Sequence, residues 1–220
     1  MYNLELSGLG KSDGGVFGEV RLEGLHRCSG AITCETFNAQ GVVKAEELEC
    51  QNQMDVEGVI LVKNLKASNV EVTGVCRVKQ QLQCESLVLG GYLSVGESMK
   101  VQSANLRGKF KFNDHVEAET FELVFEGNSI FDVISGANVS IKRDEDGYHW
   151  ENHPRLFRFK KIRMRGQLIE GERVEIEYCQ VKHVYGDHVK IGPHCQIDEV
   201  EYKESLEIHP TAVVKVVKQI

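Results

Sequence analysis

The residues best equipped for chemistry fall late in the chain, where His183, His188 and His194 stand near Cys179 and Cys195. Imidazoles and thiolates are the usual ligands of zinc and its neighbours. Their spacing does not fit such a site. Nothing resembles H-E-x-x-H or a paired C-x-x-C, and in a chain that winds in short coils these intervals send the side chains in different directions. We therefore read them as surface histidines and expect no metal and no cofactor. The other five cysteines are Cys28, Cys34, Cys50, Cys76 and Cys84, giving an odd total of seven. Reduced thiols packed as small hydrophobes are expected, not disulfides.

A second chemical feature is the run Arg155, Arg158, Lys160, Lys161, Arg163 and Arg165, six cations in eleven positions with apolar residues between them. Such a run could meet anionic head groups or phosphates. A single basic strand supplies few phosphate contacts, however, and the chain as a whole carries a net charge of -7. The preferred reading is a solvated strand facing an acidic body, with peripheral membrane contact a weak prospect and no nucleic acid expected. No G-x-S-x-G, Walker loop or dinucleotide fingerprint appears. Outward carboxylates such as Asp55 and Glu71 are scattered among Asn38 and Asn105, so no catalytic residue is assigned and no enzyme is expected.

What must position all of these side chains is a repeat. Glycines recur at Gly8, Gly24, Gly41, Gly58, Gly74, Gly91, Gly108 and Gly127, at intervals of 16, 17, 17, 16, 17, 17 and 19 residues. A fixed period of this size means stacked units. The positions four and two residues before each glycine are apolar throughout, from Leu4/Leu6 and Val20/Leu22 to Ala104/Leu106 and Leu123/Phe125. The residue between them is mostly polar, which is the alternation of a short strand with one buried side. Two further pairs follow each glycine, for example His26/Cys28 and Ile32/Cys34, or Leu93/Val95 and Met99/Val101. Three short strands per repeat cannot close a core alone, but stacked copies enclose a continuous apolar column. The expected fold is all-β, a three-sided parallel β-helix of about 17 residues per coil with a glycine at one corner of each. The first coil, with Gly10 and Ser12 in its second pair, is expected to be thin or frayed.

The division expected is a solenoid over 1–141, a charged connector over 142–155, and a smaller β unit over 156–220 that caps or continues the rod. Ile162/Met164 before Gly166 echo the earlier motif, and Val174/Ile176 return fifteen residues later as Val189/Ile191. Acidity belongs to the first part: residues 1–141 hold 12 Lys and Arg against 19 Asp and Glu, and 142–220 hold 14 of each. The N-terminus lacks a basic region followed by an apolar stretch, and no run approaches the ~18 apolar residues of a membrane span. A cytoplasmic address is expected.

Runs such as Leu4-Glu5-Leu6-Ser7-Gly8, Val20-Arg21-Leu22-Glu23-Gly24 and Val70-Glu71-Val72-Thr73-Gly74 resemble the bactofilins, the polymer-forming bacterial cytoskeletal proteins, over roughly residues 1–141. The resemblance implies a right-handed, triangular β-helix that polymerises end to end, without nucleotide, into non-polar filaments. The chain departs from that pattern by continuing past the repeat. The function expected is a self-assembling scaffold whose partner is another copy of itself. The runner-up is a capped, non-polymerising adaptor that binds another protein. An acyltransferase-like left-handed β-helix fits less well, because its six-residue beat does not persist here. Candidate end contacts are Leu4 and Leu6 at one end, and Phe110, Phe112, Phe121, Phe125 and Phe131 toward the other.

Overall fold

The computed structural model describes residues 2–144 and 163–220, which contain strands and no helix. The first eight strands are β1 (Leu4–Ser12), β2 (Gly15–Cys28), β3 (Ile32–Lys44), β4 (Glu47–Val62), β5 (Asn64–Val78), β6 (Leu82–Val95), β7 (Met99–Phe112) and β8 (His115–Phe125). They are followed by β9 (Ser129–Ile130), β10 (Val133–Arg143), β11 (Met164–Ile176), β12 (Cys179–Ile191), β13 (Gln196–Ile208) and β14 (Val213–Gln219). Spatial order follows chain order from β1 to β14, with β9 set off the path against β7 and β11. Every pairing is parallel, as in Leu22↔Ala39, Ala39↔Val56, Val56↔Val72 and Val72↔Leu89. This is a parallel β-solenoid of about 12 turns and about 17 residues per coil.

In-register stacking follows from the repeat. Each turn from β3 to β7 buries three apolar pairs, stacked on their counterparts in the next turn, and one cluster of buried residues runs from Val20 to Val200. The glycine corner is fixed by two constraints at once. Gly58 has φ 129°, a conformation that L side chains rarely adopt. A Cβ there would also collide with the carbonyl oxygen of Gly41 in the turn before.

The column of left-handed glycines ends at Gly108, one repeat earlier than its spacing suggests. Gly108 lies opposite Phe125, not Gly127. The buried pair of that turn is accordingly Phe121/Leu123, opposite Ala104/Leu106, and the expected Leu123/Phe125 pair is slipped by two residues. The slip leaves an apolar residue inward because the side-chain period of a strand is two. Gly127 meets only the aliphatic stem of Lys109.

Beyond the repeat the stack continues. β10 pairs with β11 from Val133↔Leu168 to Ile141↔Ile176, and Met164 lies directly on Ser129. Lys142 and Arg143 still belong to β10, and most of the expected connector lies outside the described residues. Val174 and Ile176 sit opposite Val189 and Ile191, as their fifteen-residue interval implies. Gly166 is not a corner: it faces the ring of Phe131, into which a Cβ would run. Nor is β1 frayed. It pairs with β2 along Leu4–Ser12, and the His26 imidazole fills the space that Gly10 leaves.

Candidate functional site

Strand pairing, once begun, leaves a problem only at the two ends. Among the described residues, β1 and β14 each have a strand neighbour on one side alone, which leaves one row of backbone donors and acceptors on each without a described strand partner. Leu4 and Leu6 in β1 cover the buried Val20 and Leu22 and are themselves half-buried. In β14, Val217 lies on the fully buried Val200 yet is 47% exposed, and Val214 lies half-buried on Ile197. Ile208, Val213, Val216 and Ile220 add exposed apolar surface around it. The sequence reading missed this end, although the run Val213-Val214-Lys215-Val216-Val217 carried the signal.

The five phenylalanines do not form an end. Phe110, Phe112, Phe121, Phe125 and Phe131 are all buried, and β10 to β14 stack beyond them. Phe110 and Phe112 stack with centroids 6.1 Å apart, and Phe121 meets Phe112 edge-on at 6.2 Å. They fill the core where the glycine column stops.

All seven cysteines are free and buried. Burial pushes the thiols of Cys76 and Cys84 up to about 12, so neither is a nucleophile near neutral pH. Cys34 and Cys50 stack in adjacent turns, and Cys179 and Cys195 donate to the carbonyls of Glu177 and Ile176 at 3.2 and 3.4 Å.

The histidines point elsewhere. His183 lies 3.5 Å from a Glu199 oxygen, and His188 lies 3.1 Å from Glu204 and 3.0 Å from Ser205. The His194 ring packs on Tyr178 at a tilt of 41°, with ring centroids 5.0 Å apart. Among the described residues, no three His, Cys, Asp or Glu side chains converge as a metal would need. Tyr178 and His194 nevertheless form a corner that sequence reasoning did not find. Both hold positive φ, 53° and 57°, which costs about 1–3 kcal/mol for a non-glycine residue. The Arg143 guanidinium 3.8 Å from the Tyr178 ring centroid and the Thr211 hydroxyl accepting from the His194 amide at 3.1 Å hold them there.

Of the basic run, Arg155, Arg158, Lys160 and Lys161 lie outside the described residues. Arg163 donates to Gln196. Arg165 lines an open groove of about 640 Å³ with Ile130, Gln180, Gln196 and Lys215. Exposed ion-pair ladders cover this half: Glu175 takes Lys190 and Lys142 at 2.9 and 3.1 Å, and Asp198 takes Lys215 at 2.8 Å. These lysines hold the Glu175 and Asp198 carboxyls below the usual range, as Lys218 does for Glu199. Together the described surfaces offer binding and pairing groups.

No family model matches the chain, and no solved structure matches it. Two proteins of Bacillus subtilis (strain 168) are similar in part. Uncharacterized protein YhbF is 32% identical over 82 residues, 37% of this chain and 31% of YhbF. Uncharacterized protein YhbE is 40% identical over 52 residues, 24% of this chain and 22% of YhbE. The chain thus spans less than a third of the length of either relative.

Proposed function

We propose that the chain is a non-enzymatic scaffold that assembles end to end through β1 and β14, without nucleotide, in the cytoplasm. In this reading its coils form the right-handed, three-sided helix that the bactofilin resemblance implies. The observation that carries the proposal is the half-finished state of both terminal strands. The same inward column that buries Val200 completely leaves Val217, the next residue along it, 47% exposed. A second copy would supply the missing strand neighbour and bury the aliphatic groups in a single step. No helix among the described residues is long and apolar enough to cross a membrane.

Sedimentation velocity of the full chain across a concentration series tests this reading. Growing elongated species for the wild type, and a monomer for Val217→Asp, are expected. Val217 is exposed in the single chain, so the substitution removes the junction with little effect on the fold. A wild type that stays monomeric at every concentration would overturn end-to-end assembly and leave the adaptor reading in its place.

A further inference from the structure

The solenoid carries, on one lateral face, two straight rows of unlike chemistry. The residue after each corner glycine points outward, and in successive turns these are Leu9, Leu25, Val42, Val59, Val75 and Tyr92, each opposite the next, before Lys109 ends the row. Leu9 and Leu25 are 85% and 52% exposed, and the other four are partly buried. With about 4.8 Å between turns, the six make a ridge roughly 24 Å long. Outward apolar residues repeated at one position of every turn are not required by the core, which is filled from the other side of the strand.

Two residues further along each turn lies the second row. Lys11, Arg27 and Lys44 succeed one another in adjacent turns, and after Leu61 and Ser94 as spacers the row resumes at Arg77 and Lys111. Like charges directly opposite one another on neighbouring strands are destabilising. Elsewhere in residues 1–141 four cations avoid that cost by pairing. Arg21, Lys66, Lys100 and Arg107 each meet a carboxylate at 2.6–3.3 Å, whereas Lys63, Lys79 and Lys109 do not among the described residues. Among the described residues, no carboxylate lies within ion-pair distance of Lys11, Arg27, Lys44, Arg77 or Lys111. Arg77 instead lies over the Tyr92 ring at 5.5 Å, which joins the two rows.

We infer that this face is a docking surface for an anionic lipid bilayer. The ridge enters the boundary between head groups and acyl chains, and the basic row beside it meets lipid phosphates. A bilayer satisfies both rows together. A nucleic acid would meet the cations and leave the aliphatic ridge in water. The inference does not rest on end-to-end assembly, because a single chain carries the whole face. Arg165 lies on Ile130, which lies on Lys111, so the same outward row reaches the described end of the basic stretch noted in the sequence.

Flotation of the full chain with phosphatidylcholine vesicles, with and without phosphatidylglycerol, tests the inference at low and physiological salt. Flotation only with the anionic vesicles is expected. The triple variant Arg27→Glu, Lys44→Glu, Arg77→Glu should bind at least about tenfold more weakly, and Val42→Ser with Val59→Ser should also weaken binding. Lys66→Glu with Lys100→Glu, on another face, should not. Circular dichroism melts establish that each variant is folded, and the Val217→Asp chain separates docking from assembly. Absence of flotation at low salt, flotation unaffected by the triple variant, or indifference to the two serines would each overturn the inference. The last outcome would mean a purely electrostatic surface, such as one for an acidic protein.

Discussion

The two halves of the solenoid turn their corners by different means. From β1 to β7 the corner is a column of glycines with positive φ, each forbidding a side chain to the next. From β10 onward no glycine among the described residues holds positive φ. Close approach shifts to another position of the turn, where Gly136, Gly171 and Gly186 succeed Ala118, and the left-handed residues are Tyr178 and His194, held by tilted ring packing. Their surfaces differ as well, since the second half ties its turns together with ladders such as Lys142–Glu175–Lys190 and Asp198–Lys215. The lesson is that in-register aliphatic columns define the solenoid, and corner chemistry can be exchanged as long as those columns stay aligned.

Six substitutions and one change of pH sharpen or break this comparison. The largest effect belongs to the seam where one corner system gives way to the other: Phe121→Ala should cost about 3–5 kcal/mol in chemical denaturation. Val139→Ala, at the position opposite it, should cost about half of that.

Gly58→Ala comes next, at about 3 kcal/mol, because both φ and the Gly41 carbonyl oppose it. Gly186→Ala, without positive φ but with its Cβ 2.9 Å from Val189 Cγ2, should cost about 1–2 kcal/mol. Gly127→Ala should stay within about 0.5 kcal/mol. Equal losses at all three glycines would remove the distinction between the halves.

Acid should separate the halves more gently. Lys190, Lys215 and Lys218 lower the folded-state values of Glu175, Asp198 and Glu199 respectively. The stability these carboxylates contribute is complete above their unfolded values and is lost as pH falls through the folded ones. Hydrogen-exchange protection, corrected for the slower intrinsic exchange in acid, should therefore fall in β11–β14 on going from neutral pH to mild acid, with less change in β2–β6. The smallest effect is expected for Lys100→Ala, which removes an exposed pair with Glu117 and should change stability by less than about 0.5 kcal/mol.

Much of the architecture was legible because a period of two within a strand and of about 17 between turns is written directly in residues such as Val20, Leu22, Val56 and Leu89, all buried. The glycine column was equally readable up to Gly108, since few residues other than glycine tolerate that corner. Reading failed where spacing stopped constraining conformation. Gly127 continues the interval closely enough to mislead, and only the pairing of Gly108 with Phe125 exposes the slip. The phenylalanines seemed terminal because the glycine repeat stopped near them, yet stacking continues with Met164 on Ser129, 35 residues further along the chain, an interval that matches no earlier period. The candidate ends were half legible: Leu4 and Leu6 lie in β1, but β14 has no glycine to mark it. The lateral basic row was hidden because its members lie 16 or more residues apart and become neighbours only by winding.

The central claim is that stacking continues from the last turn of one chain onto another chain. Cryo-electron microscopy of the assembled full-length protein tests it most directly, through the axial density across the subunit junction. The account predicts an unbroken layer spacing of about 4.8 Å running through the junction, with Val217 buried there. Discrete monomers, or copies joined side to side with both terminal strands facing solvent, would contradict it.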